Sequence, residues 1–240
     1  MDTARLRAII FDFNGVIADD ETPHFLTFQQ ALQEDGLALT QEDYYGAYLG
    51  MDERNCAAAL VESVIGTQDS VRIQRILKRK AALFRDYTAT HKPQLFPGVV
   101  EFVKRAGQRY RLAIASGGRR EQIEFALYDT PIEKDFAVIG SAEDTVIGKP
   151  DPAIYQVTLN RMNRLEPRPQ PPIGPEECLV IEDSLAGIRS AKAAGMQVIG
   201  LATTYPAEQL SEAHLVIASL EGLSMDRLEK LFGEESRRKA

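Results

Sequence analysis

A chain of 240 residues, 44% hydrophobic and 26% charged, has the length for one large or two smaller domains around a substantial core. Its net charge of −7 argues against a nucleic-acid or anionic-membrane partner, which calls for a basic face, but leaves room for a small anion held in a local cationic pocket. Cys56 and Cys178 offer neither a disulfide framework nor zinc-ligand spacing, and no stretch reaches the length of a bilayer span, so a soluble cytoplasmic protein is expected.

The first predicted element is a short apolar strand within Ala8–Ile17, which runs into Asp12, Asn14 and Gly15. Strand parity places Asp12 and Asn14 on one side at its C-terminal end. A simple Asx-type turn is the competing explanation for that pair. Residues 18–92 then show only helical spacing: Phe25, Phe28, Ala31 and Leu32 before a stop at Gly36, then patterns over 41–49, 52–65 and 67–91. This block reads as an all-helical insertion.

From Pro93 onward helices and strands alternate. Helices are expected at 98–108, 119–128, 151–164 and 184–194, with strands at 110–115, 136–139, 179–181, 196–201 and 215–218. The proline-rich segment 165–176 reads as a surface loop, and the charged tail 234–240 as frayed. The alternation predicts an α/β fold with a mostly parallel, Rossmann-like sheet covered by helices on both faces. The sheet domain would comprise 1–17 and 93–240, with the helical block 18–92 as a second domain.

The ends of the clearest predicted strands carry usable chemistry. Ser116-Gly117-Gly118 follows the second strand and offers a hydroxyl and glycine amides to an anion, or only a helix N-cap. Glu182-Asp183-Ser184 follows the strand at 179–181. Its two acids suit a divalent cation shared with Asp12, magnesium by ligand type, and an N-cap is again the alternative. Lys149 sits between Gly148 and Pro150, where a restrained ammonium can offset charge beside a carboxylate, or the segment is only a surface turn. A carboxylate, a hydroxyl, a lysine and an acidic pair in that context form a phosphoryl-transfer constellation.

The four motifs Asp12-Phe13-Asn14-Gly15-Val16, Ser116, Lys149 in GKPDP, and Glu182-Asp183-Ser184 occur in order along nearly the whole chain. Together they resemble the haloacid dehalogenase superfamily, in the branch with a helical cap after the first strand, near the β-phosphoglucomutase and phosphoglycolate phosphatase group. The resemblance implies an aspartyl-phosphate on Asp12. It also implies magnesium held by Asp12, the Asn14 carbonyl and Asp183, with Glu182 nearby. Ser116, Gly117 and Lys149 would hold the phosphoryl group of a small phosphorylated metabolite. In the cap, His24, Gly50 and Arg54 fall where relatives carry substrate-selecting residues, whereas Lys78, Lys80 and Lys92 look solvated. A monomer is compatible with the sequence.

One position departs from the family pattern. Phosphatases and mutases of this superfamily have aspartate where this chain has Asn14, and that aspartate moves protons to the leaving group and from the attacking water. An amide cannot do so at neutral pH, and general acid–base help is typically worth about 10²–10⁴-fold in rate. The expectation is a slowed or altered phosphohydrolase, with Asp19, Asp20 and Glu21 as nearby candidates for the proton transfer. The alternatives are a phosphate- and metal-binding regulatory module, a phosphomutase, or an aspartate-to-asparagine substitution made to trap a bound state.

Overall fold

The computed structural model describes residues 5–44, 53–67 and 69–238. The chain divides into two compact units, Met1–Asp19 with Gln94–Ala240, and Asp20–Pro93.

The first unit is an α/β layer structure. Its main sheet contains β1 (Ala8–Phe11), β4 (Arg111–Ala115), β5 (Val138–Gly140), β6 (Cys178–Glu182), β7 (Gln197–Leu201) and β8 (Leu215–Ile217), in the order β5-β4-β1-β6-β7-β8. Every pairing in it is parallel. The chain builds outward from β1 to β5 on one side, then returns to β6 on the other. This reversal leaves a crevice at the carboxyl ends of the central strands, the position where open α/β sheets bind ligands.

Period-two alternation explains the two cores. Ile9, Phe11, Leu112, Ile114, Leu179 and Ile181 face one way, and pack with Val99, Phe102 and Val103 of α5 (Val99–Gly107) and Leu228 and Phe232 of α9 (Met225–Arg238). Ala8, Ile10, Ala113, Ala115, Cys178 and Val180 face the other way. There they meet Ile154, Tyr155 and Leu159 of α7 (Ala153–Arg164) and Ile188 and Ala191 of α8 (Leu185–Ala193). The helix α6 (Arg120–Leu127) follows β4 and adds Ile123, Ala126 and Leu127 to the first core.

The second unit packs α1 (Glu21–Glu34), α3 (Glu53–Ile65) and α4 (Ser70–Thr88) around Phe25, Phe28, Leu32, Ala57, Val61, Ile73 and Ile76. The Asp69 carboxylate caps α4, accepting from the N–H groups of Val71 and Arg72 at 3.1 and 3.0 Å.

Several details differ from expectation. Asp12 and Asn14 lie beyond the end of β1, and Asn14 forms an isolated bridge with Ala18, so a turn rather than strand parity sets their directions. A two-residue ribbon pairs β2 (Ala18–Asp19) with β3 (Gln94–Leu95), too short to leave a periodic signal in the sequence. The helix expected at 41–49 is described only as α2 (Gln41–Asp43), residues 45–52 lying outside the described set. Where a frayed tail was expected, helix α9 runs on to Arg238, and Met225, Leu228 and Phe232 bury one face of its earlier turns in the core. The loop at 165–176 gives way to a short 3₁₀ turn at Pro175–Glu177.

Candidate active site

Three chain segments converge at the carboxyl ends of β1, β4 and β6. Asp12 follows β1 directly and is held by its N–H donating to the Ile181 carbonyl at 2.9 Å. Lys149, in the loop before α7, directs its ammonium at Asp12 Oδ1 (2.8 Å), Glu182 Oε1 (2.5 Å) and the Ala115 carbonyl (3.2 Å). All three ammonium donors are thereby satisfied.

Glu182 is fully buried. Besides Lys149 it accepts from the Tyr155 hydroxyl at 2.7 Å and the Ser184 hydroxyl at 3.0 Å. Ser184 also caps α8, accepting from Gly187 N–H at 3.1 Å. Gly187 has to be glycine, because a Cβ there would overlap the Glu182 carboxylate. Gly15, at φ +73°, is constrained in the same way by the neighbouring carboxylate of Asp183. Asp183 receives the Thr204 hydroxyl, and Thr203 donates to the Gly15 carbonyl, so the segment after β7 fixes the turn after β1.

Ser116 is buried at the end of β4. Its N–H is taken by the Gly140 carbonyl at 3.0 Å, while its hydroxyl oxygen accepts from Gly118 N–H at 3.0 Å. That geometry leaves the hydroxyl proton to donate. Gly117, on the same turn, has open space where a side chain would stand. The Asn14 side chain is half-buried and makes no hydrogen bond among the described residues.

The structure thus brings together Asp12, Lys149, Glu182 and Asp183. Tyr155, Thr203 and Thr204 are additions that the sequence motifs did not mark, although Thr203 and Thr204 follow a predicted strand and obeyed the same strand-end logic. Gly50 and the Arg54 side chain lie outside the described residues. His24 sits in the helical unit, its Nδ1 2.6 Å from Lys80 Nζ and its Nε2 3.3 Å from Asp20 Oδ2. Lys80 is buried at 2% exposure and lies over the Phe84 ring, correcting its expected solvation. Its place on the α4 stripe with Ile73 and Ile76, at spacings of three and four, carries it inward. Of the acids near the first strand, Glu21 accepts from the Tyr44 hydroxyl at 2.5 Å and Asp20 pairs with His24.

Electrostatically the site has an excess of negative charge. Burial first, and then the adjacent Glu182, push Asp12 from 3.8 up to about 6 against the opposing pull of Lys149. Burial, Glu182 and Asp12 push Asp183 well above the ordinary carboxylate range. Burial acts to lower Lys149, but Asp12 and Glu182 outweigh it and hold the ammonium above its usual value. Asp12, Glu182 and Asp183 each present an oxygen, all within 4.8 Å of one another. Three clustered carboxylates against one lysine leave a deficit of positive charge that fits a hard divalent cation of the magnesium kind, with Glu182 already engaged by Lys149, Tyr155 and Ser184.

The raised carboxyls give a pH signature. A group whose folded pKa lies above its unfolded value stabilises the fold fully below the unfolded value and loses that contribution as pH rises through the folded one. For Asp12, a rise from 3.8 to about 6 corresponds to roughly 3 kcal/mol. Asp35 and Asp144, held low by arginine partners although burial opposes this, act in the opposite sense and lose their contribution below the ordinary carboxylate range. Metal-free protein should therefore be most stable near pH 4–5 and lose about 3 kcal/mol from Asp12 by pH 7, with Asp183 acting in the same direction. Urea titrations across that range, with and without magnesium, check this; magnesium should flatten the decline.

The haloacid dehalogenase-like hydrolase family matches residues 6–195. The chain is 32% identical over 200 residues to a phosphorylated carbohydrates phosphatase of Thermotoga maritima, covering 81% of this chain and 84% of that protein. It is 29% identical, with the same coverages, to protein CbbY of Rhodobacter capsulatus. Among solved structures, β-phosphoglucomutase from Clostridium difficile superposes with a TM-score of 0.68 at 20% identity, covering 97% of this chain and 100% of that one. CbbY of Rhodobacter sphaeroides, in complex with phosphate, gives a TM-score of 0.64 at 24% identity, covering 91% and 96%. Among the described residues, no helix is long and apolar enough to cross a membrane. With its parallel sheet, its strand-end carboxylates and a family match over most of its length, the chain belongs to the haloacid dehalogenase-like hydrolases.

Proposed function

We propose that the protein is a magnesium-dependent phosphatase of small phosphorylated metabolites, with Asp12 as the group that accepts the phosphoryl. The observation that carries this is Lys149, whose ammonium joins Asp12 at 2.8 Å to the buried Glu182 at 2.5 Å beside Asp183. The names of the relatives, a phosphorylated carbohydrates phosphatase among them, support the substrate class.

In the first step an Asp12 carboxylate oxygen bonds to phosphorus as the bond from phosphorus to the ester oxygen breaks. The leaving oxygen takes the electron pair and then a proton. In the second step water attacks the phosphorus, releases inorganic phosphate and restores the carboxylate. Lys149 holds Asp12 in place and balances negative charge on the transferring oxygens. The free Ser116 hydroxyl proton and the open turn at Gly117 receive those oxygens. Such transfer is chiefly positioning and charge neutralisation. A magnesium ion bound by Asp12, Asp183 and the Asn14 carbonyl would neutralise phosphoryl charge. Glu182, already accepting from Lys149, Tyr155 and Ser184, serves mainly to anchor Lys149.

Asn14 favours a second feature, low turnover. It donates and accepts hydrogen bonds but moves no proton, so both the leaving group and the attacking water rely on solvent.

The test is phosphate release from a panel of sugar and carboxylate phosphates, with magnesium and with EDTA. Magnesium-dependent release that disappears in Asp12→Asn is the expected result. Release that persists in Asp12→Asn would overturn the assignment, and binding without any release would favour the regulatory alternative.

A further inference from the structure

The opposite end of the same sheet carries a second cationic feature that catalysis does not use. A cleft of about 700 Å³ opens beside the N-terminal ends of β1 and β4, lined by Arg5, Arg7, Arg109 and Arg111 together with Tyr110 and Glu229. Arg7 immediately precedes β1 and Arg111 opens β4, whereas Asp12 and Ser116 follow the last residues of those strands. Four- and five-residue strands therefore separate the two ends by about 15 Å.

The arginines divide into two that build the wall and two that face the space. Arg7 donates to Glu177 at 2.9 Å and to the Pro171 carbonyl at 2.7 Å, and Arg111 to the carbonyls of Met162 and Pro167. These bonds fasten the proline-rich segment to the strand ends and give the cleft a fixed side. Arg109 lies 3.7 Å from Glu229 Oε1, an oxygen that already accepts from the Tyr110 hydroxyl at 2.8 Å. Arg5 is exposed and has no carboxylate partner among the described residues. Among the described residues, four guanidinium groups thus meet two carboxylate partners, Glu177 and Glu229, in a chain whose net charge is −7. Among these described groups the excess is two positive charges.

We infer that this cleft is a second ligand site, for a phosphate dianion carried on a small organic body. Guanidinium forks match phosphate oxygens in pairs, and the local excess charge matches a dianion. The volume lies in the range that takes a whole small molecule rather than a bare ion. The inference stands independently of the catalytic assignment.

The test uses the full chain freed of metal with EDTA and titrated with inorganic phosphate at constant ionic strength against chloride. Which amides shift tells binding at this cleft from binding at the catalytic end. Amide NMR should show saturable shifts at residues 5–7 and 107–111. The Arg5→Gln/Arg109→Gln variant should bind at least tenfold more weakly. Arg5→Gln alone changes a residue outside every helix and strand, and should weaken binding several-fold with an unchanged melting midpoint. Shifts confined to residues 12–16 and 116–118, equal shifts with chloride, or unaltered affinity in both variants would overturn the site.

Discussion

Asn14→Asp should raise turnover by about 10²–10⁴-fold, the usual worth of a positioned general acid–base group. The substitution restores a carboxyl on the turn that follows Asp12, where the half-buried Asn14 makes no side-chain hydrogen bond among the described residues. Such a carboxyl would protonate the departing ester oxygen and then take a proton from the attacking water. The gain should appear on alkyl and aryl phosphates alike, because with an aryl phosphate, which leaves without a proton, the carboxyl still takes the proton of the water that unloads Asp12. Steady-state kcat for both proteins on an alkyl and an aryl phosphate checks this. Equal rates in the two proteins on both substrates would mean that another group already moves the proton.

Lys149→Met should cost both activity and stability. The ammonium makes three contacts, and removing it leaves the fully buried Glu182 facing Asp12 without a cation between them. Breaking a buried pair by deleting one partner typically costs about 3–5 kcal/mol. Losing one preorganised donor to a developing negative charge costs about 10²–10³ in kcat. Methionine keeps much of the side-chain volume, so the loss reports charge rather than a cavity. The stability loss should shrink as pH falls towards 4, because the raised carboxyls of Asp12 and Asp183 become neutral there. Urea denaturation at pH 7 and pH 5, with kcat measured alongside, separates the two effects.

The site was legible in the sequence to the extent that strand ends mark it. Asp12, Ser116 and Glu182-Asp183 each follow a run of apolar residues, and a parallel sheet brings such ends together whatever the intervening length. Lys149 was legible for a different reason, since a lysine fenced by glycine and proline is a restrained one. Tyr155 was not, because on α7 it reads as one more apolar-face residue, and only the fold shows its hydroxyl reaching Glu182 at 2.7 Å. Gly187 likewise looks like an ordinary small residue until the Glu182 carboxylate is seen against it. Lys80 shows the opposite failure: charge suggested solvent, while its spacing from Ile73 and Ile76 put it on the buried stripe. The short ribbon of β2 and β3 left no period to read, and α9 hid its apolar face among charged neighbours.

The central claim is that Asp12 takes the phosphoryl group and that Asn14 leaves it stranded there. An aryl phosphate loads Asp12 without needing an acid, whereas the water that unloads it has no base at Asn14. After mixing with magnesium and an aryl phosphate, acid quenching and peptide mass spectrometry should find a phosphoryl adduct on the peptide that carries Asp12. The adduct should reach a large fraction of the protein, and should fall to a trace in Asn14→Asp as turnover rises. Turnover with no adduct on Asp12 in either protein, or an adduct on another residue, would contradict the account.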